Sequence, residues 1–188
     1  MAEFKSLAAQ PVAIWWAARG DTSSLRALLV RTDSTARTFG PSCERECESP
    51  VPPDAAFLRA TPDFVRATLA LARRDTVEAL RRLVALPDSA VAQDWRVRLL
   101  KFQLLAAAGR DRDALKVFDP RIRTPLSPLW VLGMLERGRA SERRGERAKA
   151  IECYKFVVDV WRHADPELQG YVTEAQEALA RLAKEERP

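Results

Sequence analysis

Four short segments of this chain repeat one another, and the repetition restricts the fold more than any other feature. They read RGDTSSLRALL from Arg19, RRDTVEALRRL from Arg73, GRDRDALKVF from Gly109 and GERAKAIECY from Gly145. Each opens on a turn and continues with an acid or a capping residue. Taking Gly20, Arg74, Gly109 and Gly145 as the turn residues, the fifth position after each is small or apolar: Leu25, Ala79, Ala114 and Ala150. The ninth is apolar or aromatic: Leu29, Leu83, Phe118 and Tyr154. The last three turns are 35 and 36 residues apart, and the first precedes the second by 54, the excess being roughly the length of an irregular stretch between them. A period in this range is the mark of one supersecondary unit repeated, each copy burying its apolar face on the next.

The pattern between the turns is helical. Leu25, Leu28 and Leu29 share one face at i, i+3, i+4, and no stretch sustains the alternation of a half-buried strand, so the chain is expected to be all-α. Only 7 glycines are present, and Ala, Leu and Arg dominate over β-branched residues, which favours helix through low rotamer loss. Helices are expected over Glu3–Ala9, Val12–Arg19 and Thr22–Arg31. A long irregular loop over Thr32–Pro53 and a short helix over Asp54–Arg59 follow. Thr61-Pro62-Asp63 has the form of a helix start, with a cap, a proline at the first position and an acid in the first turn, leading to Arg73. Asp75 caps the next helix, with Glu78 three residues on in a capping-box arrangement, as far as Leu86. Further helices are expected from Asp88 or Ser89 to Ala108, Asp111–Phe118, Pro128–Arg144, Glu146–His163 and Pro166–Lys184, with Ser127-Pro128 opening the third of these and Asp165-Pro166 the last.

Several function classes lose support on composition alone. The net charge is +5, but only six of the 31 basic residues are Lys, and the arginines alternate with Asp and Glu rather than forming a run, which argues against a nucleic-acid stripe. No run of 18 apolar residues suggests a membrane span, and the start, MAEFKSLAAQPVAIWWAARGD, makes a poor signal peptide, so the expected compartment is the cytoplasm. Were the chain part of a longer membrane-anchored protein, an extracytoplasmic site would be open to it. Cys43 and Cys47 sit in a Pro-rich loop and read as free thiols, with a local disulfide or redox pair as the alternative. Two cysteines and a distant His163 do not make a four-ligand zinc site, so no metal and no other cofactor is expected. Cys153 reads as a small buried hydrophobe. His163, the single histidine, stands at a helix end where the dipole favours its charge, a structural role, and no nucleophile–base pair or phosphate loop accompanies it. Trp15 and Trp16 point about 100° apart on a helix, so at most one enters the core, while Trp130 and Trp161 read as packing.

The repeat resembles the tetratricopeptide repeat (TPR) family, a 34-residue helix–turn–helix unit. The last copy carries the resemblance on Gly138, Gly145, Ala150, Tyr154 and Asp165-Pro166; the third on Gly109, Ala114 and Phe118; the second on Ala67, Ala79 and Leu83; the first on Ala13, Gly20 and Leu25. Departures are Phe102 in place of a small residue, Arg98 in place of a large apolar one, and Ser141 in place of an aromatic. The last unit is also similar to the TPR-rich C-terminal regions of bacterial serine/threonine kinases and related regulators, although no kinase motif is present.

The resemblance implies a single domain over residues 1–188. It is an all-α, TPR-like helical-hairpin solenoid of about four repeats, with 32–53 as a loop insertion and 166–184 as a capping helix. A plain helical bundle is the competing architecture. The implied function is a non-enzymatic scaffold holding a protein or peptide in a concave groove, with an alternative as the sensory or dimerisation module of a bacterial signalling protein. In the family the first helix of each pair lines the groove. By position that places Phe64, Thr68, Arg96, Gln103, Leu135, Arg139, Glu142 and Arg143 there. Arg139 and Arg143, four apart on one face, would together grip a carboxylate; the plainer reading pairs them with Glu142 or Glu146.

Overall fold

A computed structural model describes residues 9–38, 55–87, 95–117 and 127–184, and among these every regular element is a helix. In chain order they are α1 (Ala9–Ala18), α2 (Thr22–Thr38), α3 (Ala55–Ala72), α4 (Thr76–Ala85), α5 (Trp95–Ala107), α6 (Asp111–Val117), α7 (Pro128–Arg143), α8 (Arg147–Val160) and α9 (Pro166–Lys184). Two compact units result, Met1–Val97 and Arg98–Pro188, with the boundary inside α5. In the first unit α3 is central and packs against α1, α2 and α4. In the second α7 packs against α6 and α8, and α8 carries α9.

The four repeated segments form four turns of one geometry. Each joins two helices through three residues, and the middle one is left-handed: Gly20 at φ 69°, Arg74 at 62°, Gly109 at 72° and Gly145 at 70°. The N–H of that residue donates to the carbonyl three back: Gly20 to Ala17 at 3.0 Å, Arg74 to Leu71 at 2.8 Å, Gly109 to Ala106 at 3.0 Å and Gly145 to Glu142 at 2.9 Å. The next N–H reaches the carbonyl five back: Asp21 to Trp16, Asp75 to Ala70 and Arg110 to Leu105 at 2.9 Å, and Glu146 to Ser141 at 2.8 Å. This double closure is the Schellman motif, which satisfies the last carbonyls of one helix while reversing the chain into the next. Glycine is the natural residue at the left-handed position; at Arg74 a side chain occupies it.

Around each turn the buried positions also coincide. Seven residues before it stand Ala13, Ala67 and Phe102, each without exposed surface, and Gly138, also buried. Five residues after it stand Leu25, Ala79, Ala114 and Ala150, all at 0% exposure. A small residue at such a position lets the backbones of two packed helices approach. At Gly138 a Cβ would lie 2.6 Å from Tyr154 Cε1, so the glycine makes room for the fully buried ring.

Three expectations about the elements need correction. The segment 32–38 is helix rather than loop, because its hydroxyls bond back into the helix. Thr32, Thr35 and Thr38 Oγ1 donate to the carbonyls of Leu29, Arg31 and Ser34 at 3.1, 3.1 and 3.2 Å. Asp33 is further fixed by Arg66 on α3, at 2.7 and 2.9 Å. Thr61-Pro62-Asp63 does not start a helix but lies inside α3. Thr61 Oγ1 donates to the Phe57 carbonyl at 2.8 Å instead of capping, and the proline is carried within a helix buried on several sides. Asp75 does cap α4, accepting from Glu78 N–H at 3.0 Å. Glu78 does not reach back to close a capping box; its carboxylate takes Arg81 and Arg82 instead. The expected helix over Glu3–Ala9, the remainder of the 32–53 loop with Cys43 and Cys47, the helix start at Asp88 or Ser89, and Phe118 lie wholly or largely outside the described residues.

Candidate functional site

The eight residues assigned to a groove fall into two groups. Phe64, Thr68 and Leu135 are buried, with 1%, 0% and 1% of their surface exposed, and Thr68 Oγ1 donates to the Val65 carbonyl at 2.9 Å. They pack the interior, and the apolar periodicity of α3 and α7 marks core at these positions. Arg96, Gln103 and Arg143 are exposed, and Arg139 and Glu142 are half-buried.

Within the second unit the polar members are tied into one network around α7. The Arg139 Nε donates to Glu174 Oε1 on α9 at 2.6 Å, a second N–H takes the other oxygen of Glu174 at 2.5 Å, and a third reaches Glu136 at 3.0 Å. Glu136 also accepts from the Gln103 amide on α5 at 3.0 Å. Arg143 forks onto Asp111 at the start of α6, at 2.6 and 3.1 Å. Glu142 accepts from Tyr154 Oη on α8 at 2.7 Å and from Arg181 on α9 at 3.1 Å. Bidentate guanidinium–carboxylate contacts of this kind are the strongest surface pairs. Their reach shows in the titration of the groups. Hydrogen bonding to Glu174 raises Arg139, and hydrogen bonding to Asp111 raises Arg143. Burial, then Glu142, pushes the Tyr154 phenol above its usual range.

Arg139 and Arg143 therefore do not converge on a shared site. Each holds a different carboxylate of the chain itself, and neither partner is the Glu142 or Glu146 expected from sequence. The residues missed by sequence reasoning are Asp111, Glu136, Glu174 and Arg181. A signal for them was present: the pairs Arg143–Asp111, Gln103–Glu136 and Arg139–Glu174 are separated by 32, 33 and 35 residues, close to the repeat period. Gln103 and Glu136 meet across α5 and α7, whereas Asp111 reaches Arg143 from the start of α6.

Elsewhere in the molecule, a cleft of about 410 Å³ in the first unit is lined by Arg59, Asp63, Arg81, Arg82, Leu86 and Pro87. A second of about 440 Å³ follows the α8–α9 connection and includes Asp159, His163 and Asp165. No group of three His, Cys, Asp or Glu side chains is placed to hold a metal ion among the described residues. None of the described helices is long and apolar enough to cross a membrane. Cys153 is buried, and burial raises its thiol pKa, as for a packing residue. Trp15 is 56% exposed with the Arg19 guanidinium 4.9 Å from its ring centroid, whereas Trp130 and Trp161 are buried. No family model, curated protein or solved structure matches this chain.

Proposed function

We propose that the chain is a TPR-like repeat module of four helical hairpins with α9 as its cap, and that it holds a protein or peptide partner without catalysing a reaction. The observation that carries this reading is the recurrence of one turn four times, each with the same pair of hydrogen bonds and the same buried positions seven residues before and five after. Repeated hairpins present their first helices as an extended surface, and such surfaces recognise chains rather than small molecules. Arg96, Gln103 and Arg143 are the members of the assigned set whose side chains are exposed.

The test is a footprint. The purified chain is used to capture partners, each is then made recombinantly, and amide hydrogen exchange is compared with and without it. The reading expects protection on the first helices of hairpins within a unit, such as α1 and α3 or α7, and an unchanged covalent state of the partner. Protection confined to the loops, or chemical conversion of the bound molecule, contradicts it. A second reading, a dimerisation module of a bacterial signalling protein, draws on Val77 and Val84. They are seven residues apart on α4 and exposed at 80% and 41%, one apolar stripe on one helix face. Sedimentation of the chain over a wide concentration range separates the two.

A further inference from the structure

Helix α9 is held by a thin apolar seat and a set of polar ties. Its buried residues are Val172, Ala175, Ala178 and Leu182, two of them alanines that bring little apolar area with them. The ties come from both α7 and α8. Glu174 takes Arg139 through two hydrogen bonds, Arg181 reaches Glu142, and the Leu182 carbonyl near the helix end accepts from Arg147 at 2.6 and 3.2 Å. Glu174 and Arg181 are seven residues apart and so share one side of α9. Their partners, Arg139 and Glu142, present the opposite charges in the same order along α7. The α7–α8 surface thus offers a cation, an anion and a shallow floor beside them, and each of these features is recognised by side chains of α9 rather than by its covalent attachment.

We propose that the α7–α8 surface is a helix-reading site that α9 fills in cis, and that the partner displaces α9 with a helix of the same pattern. That pattern is a carboxylate, small residues one and four positions later, and a guanidinium seven positions later. This names the partner class for the protein-binding reading above and rests on it. Two features make displacement feasible. Ion pairs between partly exposed groups are weak one by one and are screened by salt, so the Glu174 and Arg181 ties are readily lost, which leaves the half of α9 from Glu174 onward held by Ala175, Ala178 and Leu182. The other half has a different anchor: Trp161 and Tyr171 sit 5.8 Å apart ring to ring, and the Gln169 amide donates to the Ala164 carbonyl at 2.7 Å. Release therefore pivots α9 about its first turns. The tethered helix has a high effective concentration at its own site, so an external helix must match its charges as well as its shape to compete.

The experiment uses the full chain and a fluorescent synthetic peptide of the α9 sequence, Pro166–Lys184. In the chain carrying both Glu174→Lys and Arg181→Glu, α9 amides are expected to exchange about tenfold or more faster while α7 and α8 stay protected. That chain captures the α9 peptide, and a peptide bearing the same two reversals is not captured. The unaltered chain captures the α9 peptide at least tenfold more weakly, because its own α9 holds the site. A chain with the swap Arg139→Glu and Glu174→Arg keeps α9 protected. Equal capture of both peptides overturns the proposal, as does unchanged exchange in α9. Loss of protection throughout α7 and α8 also overturns it, since α9 is then an inseparable part of that unit's core. If the peptide results hold but no protein partner protects α1, α3, α5 or α7, the helix-reading site stands and the broader function does not.

Discussion

Hairpins α3–α4 and α7–α8 turn in the same way and fill their interiors in opposite ways. In α3–α4 the position seven before the turn is Ala67 and the ninth after it is Leu83; in α7–α8 they are Gly138 and Tyr154. The first hairpin places a small residue and a mid-sized one at these positions, and the second places the smallest against a large ring. The ring needs the absent Cβ, because its edge lies where that atom would be. The turns differ too: Arg74 is left-handed with a side chain, Gly145 without one. If the two hairpins are copies of one unit, Ala67 with Leu83 and Gly138 with Tyr154 are two ways of filling about the same volume.

The largest expected effects come from positions the two hairpins share. Ala150→Trp and Ala79→Trp each overfill a fully buried helix contact and are expected to lower stability by about 3 kcal/mol in urea unfolding. An unmoved midpoint for either removes that residue from the tight contact and breaks the equivalence. Gly138→Ala comes next. The clash with Tyr154 outweighs the helix propensity gained, for a net loss of about 1–2 kcal/mol. Adding Tyr154→Leu, which copies the α3–α4 pair, is expected to show a coupling above about 1 kcal/mol in a double-mutant cycle. Additive losses instead place the ring elsewhere.

The turns predict a smaller effect. Arg74→Gly relieves a left-handed side chain and is expected to stabilise by about 0.5–1 kcal/mol, whereas Gly145→Ala costs about 1 kcal/mol. A loss at Arg74→Gly means that the arginine side chain contributes more than its backbone conformation costs.

The smallest contrast is in pH dependence. Hydrogen bonding to Arg81, and next to Arg82, holds Glu78 down to about 2. A depressed carboxylate stabilises the folded state above its unfolded pKa of about 4.3, and that contribution is lost as pH falls from there toward 2. Tyr154 is raised, so its contribution is complete below the unfolded value of about 10 and is lost as pH climbs beyond it. Hydrogen exchange across α4 and α8 should find α4 the more acid-sensitive through Glu78 and α8 the more alkali-sensitive. The same response in both contradicts the assignment.

Much of the fold was legible because the turns are written in local chemistry. Glycine at three of the four left-handed positions and the buried Ala79, Ala114 and Ala150 are visible as letters, and they gave the hairpins and their order. The errors arose where one residue type serves two structures. Thr32, Thr35 and Thr38 look like loop residues by composition, yet their hydroxyls return to helix carbonyls. Thr61-Pro62-Asp63 looks like a cap, yet tertiary burial carries α3 straight through it. The site was harder to read. Periodicity identified which helix face each residue occupies, but it did not separate Phe64 or Leu135 in the core from Arg139 at the edge. The partner of Arg139 lies on α9, 35 residues away, where only the repeat period points to it.

The claim that the hairpins are copies of one unit is tested most directly by transplanting the packing of one into the other. Leu71 stands in α3–α4 where Glu142 stands beside Tyr154, so phenylalanine is the suitable ring, with no hydroxyl to satisfy. Urea unfolding of Leu83→Phe, Ala67→Gly and the double variant gives the answer. If the register is shared, Leu83→Phe alone costs about 1–3 kcal/mol and Ala67→Gly restores at least half of it. If the double variant is no more stable than Leu83→Phe alone, positions 67 and 83 do not face each other as 138 and 154 do, and the hairpins are not equivalent.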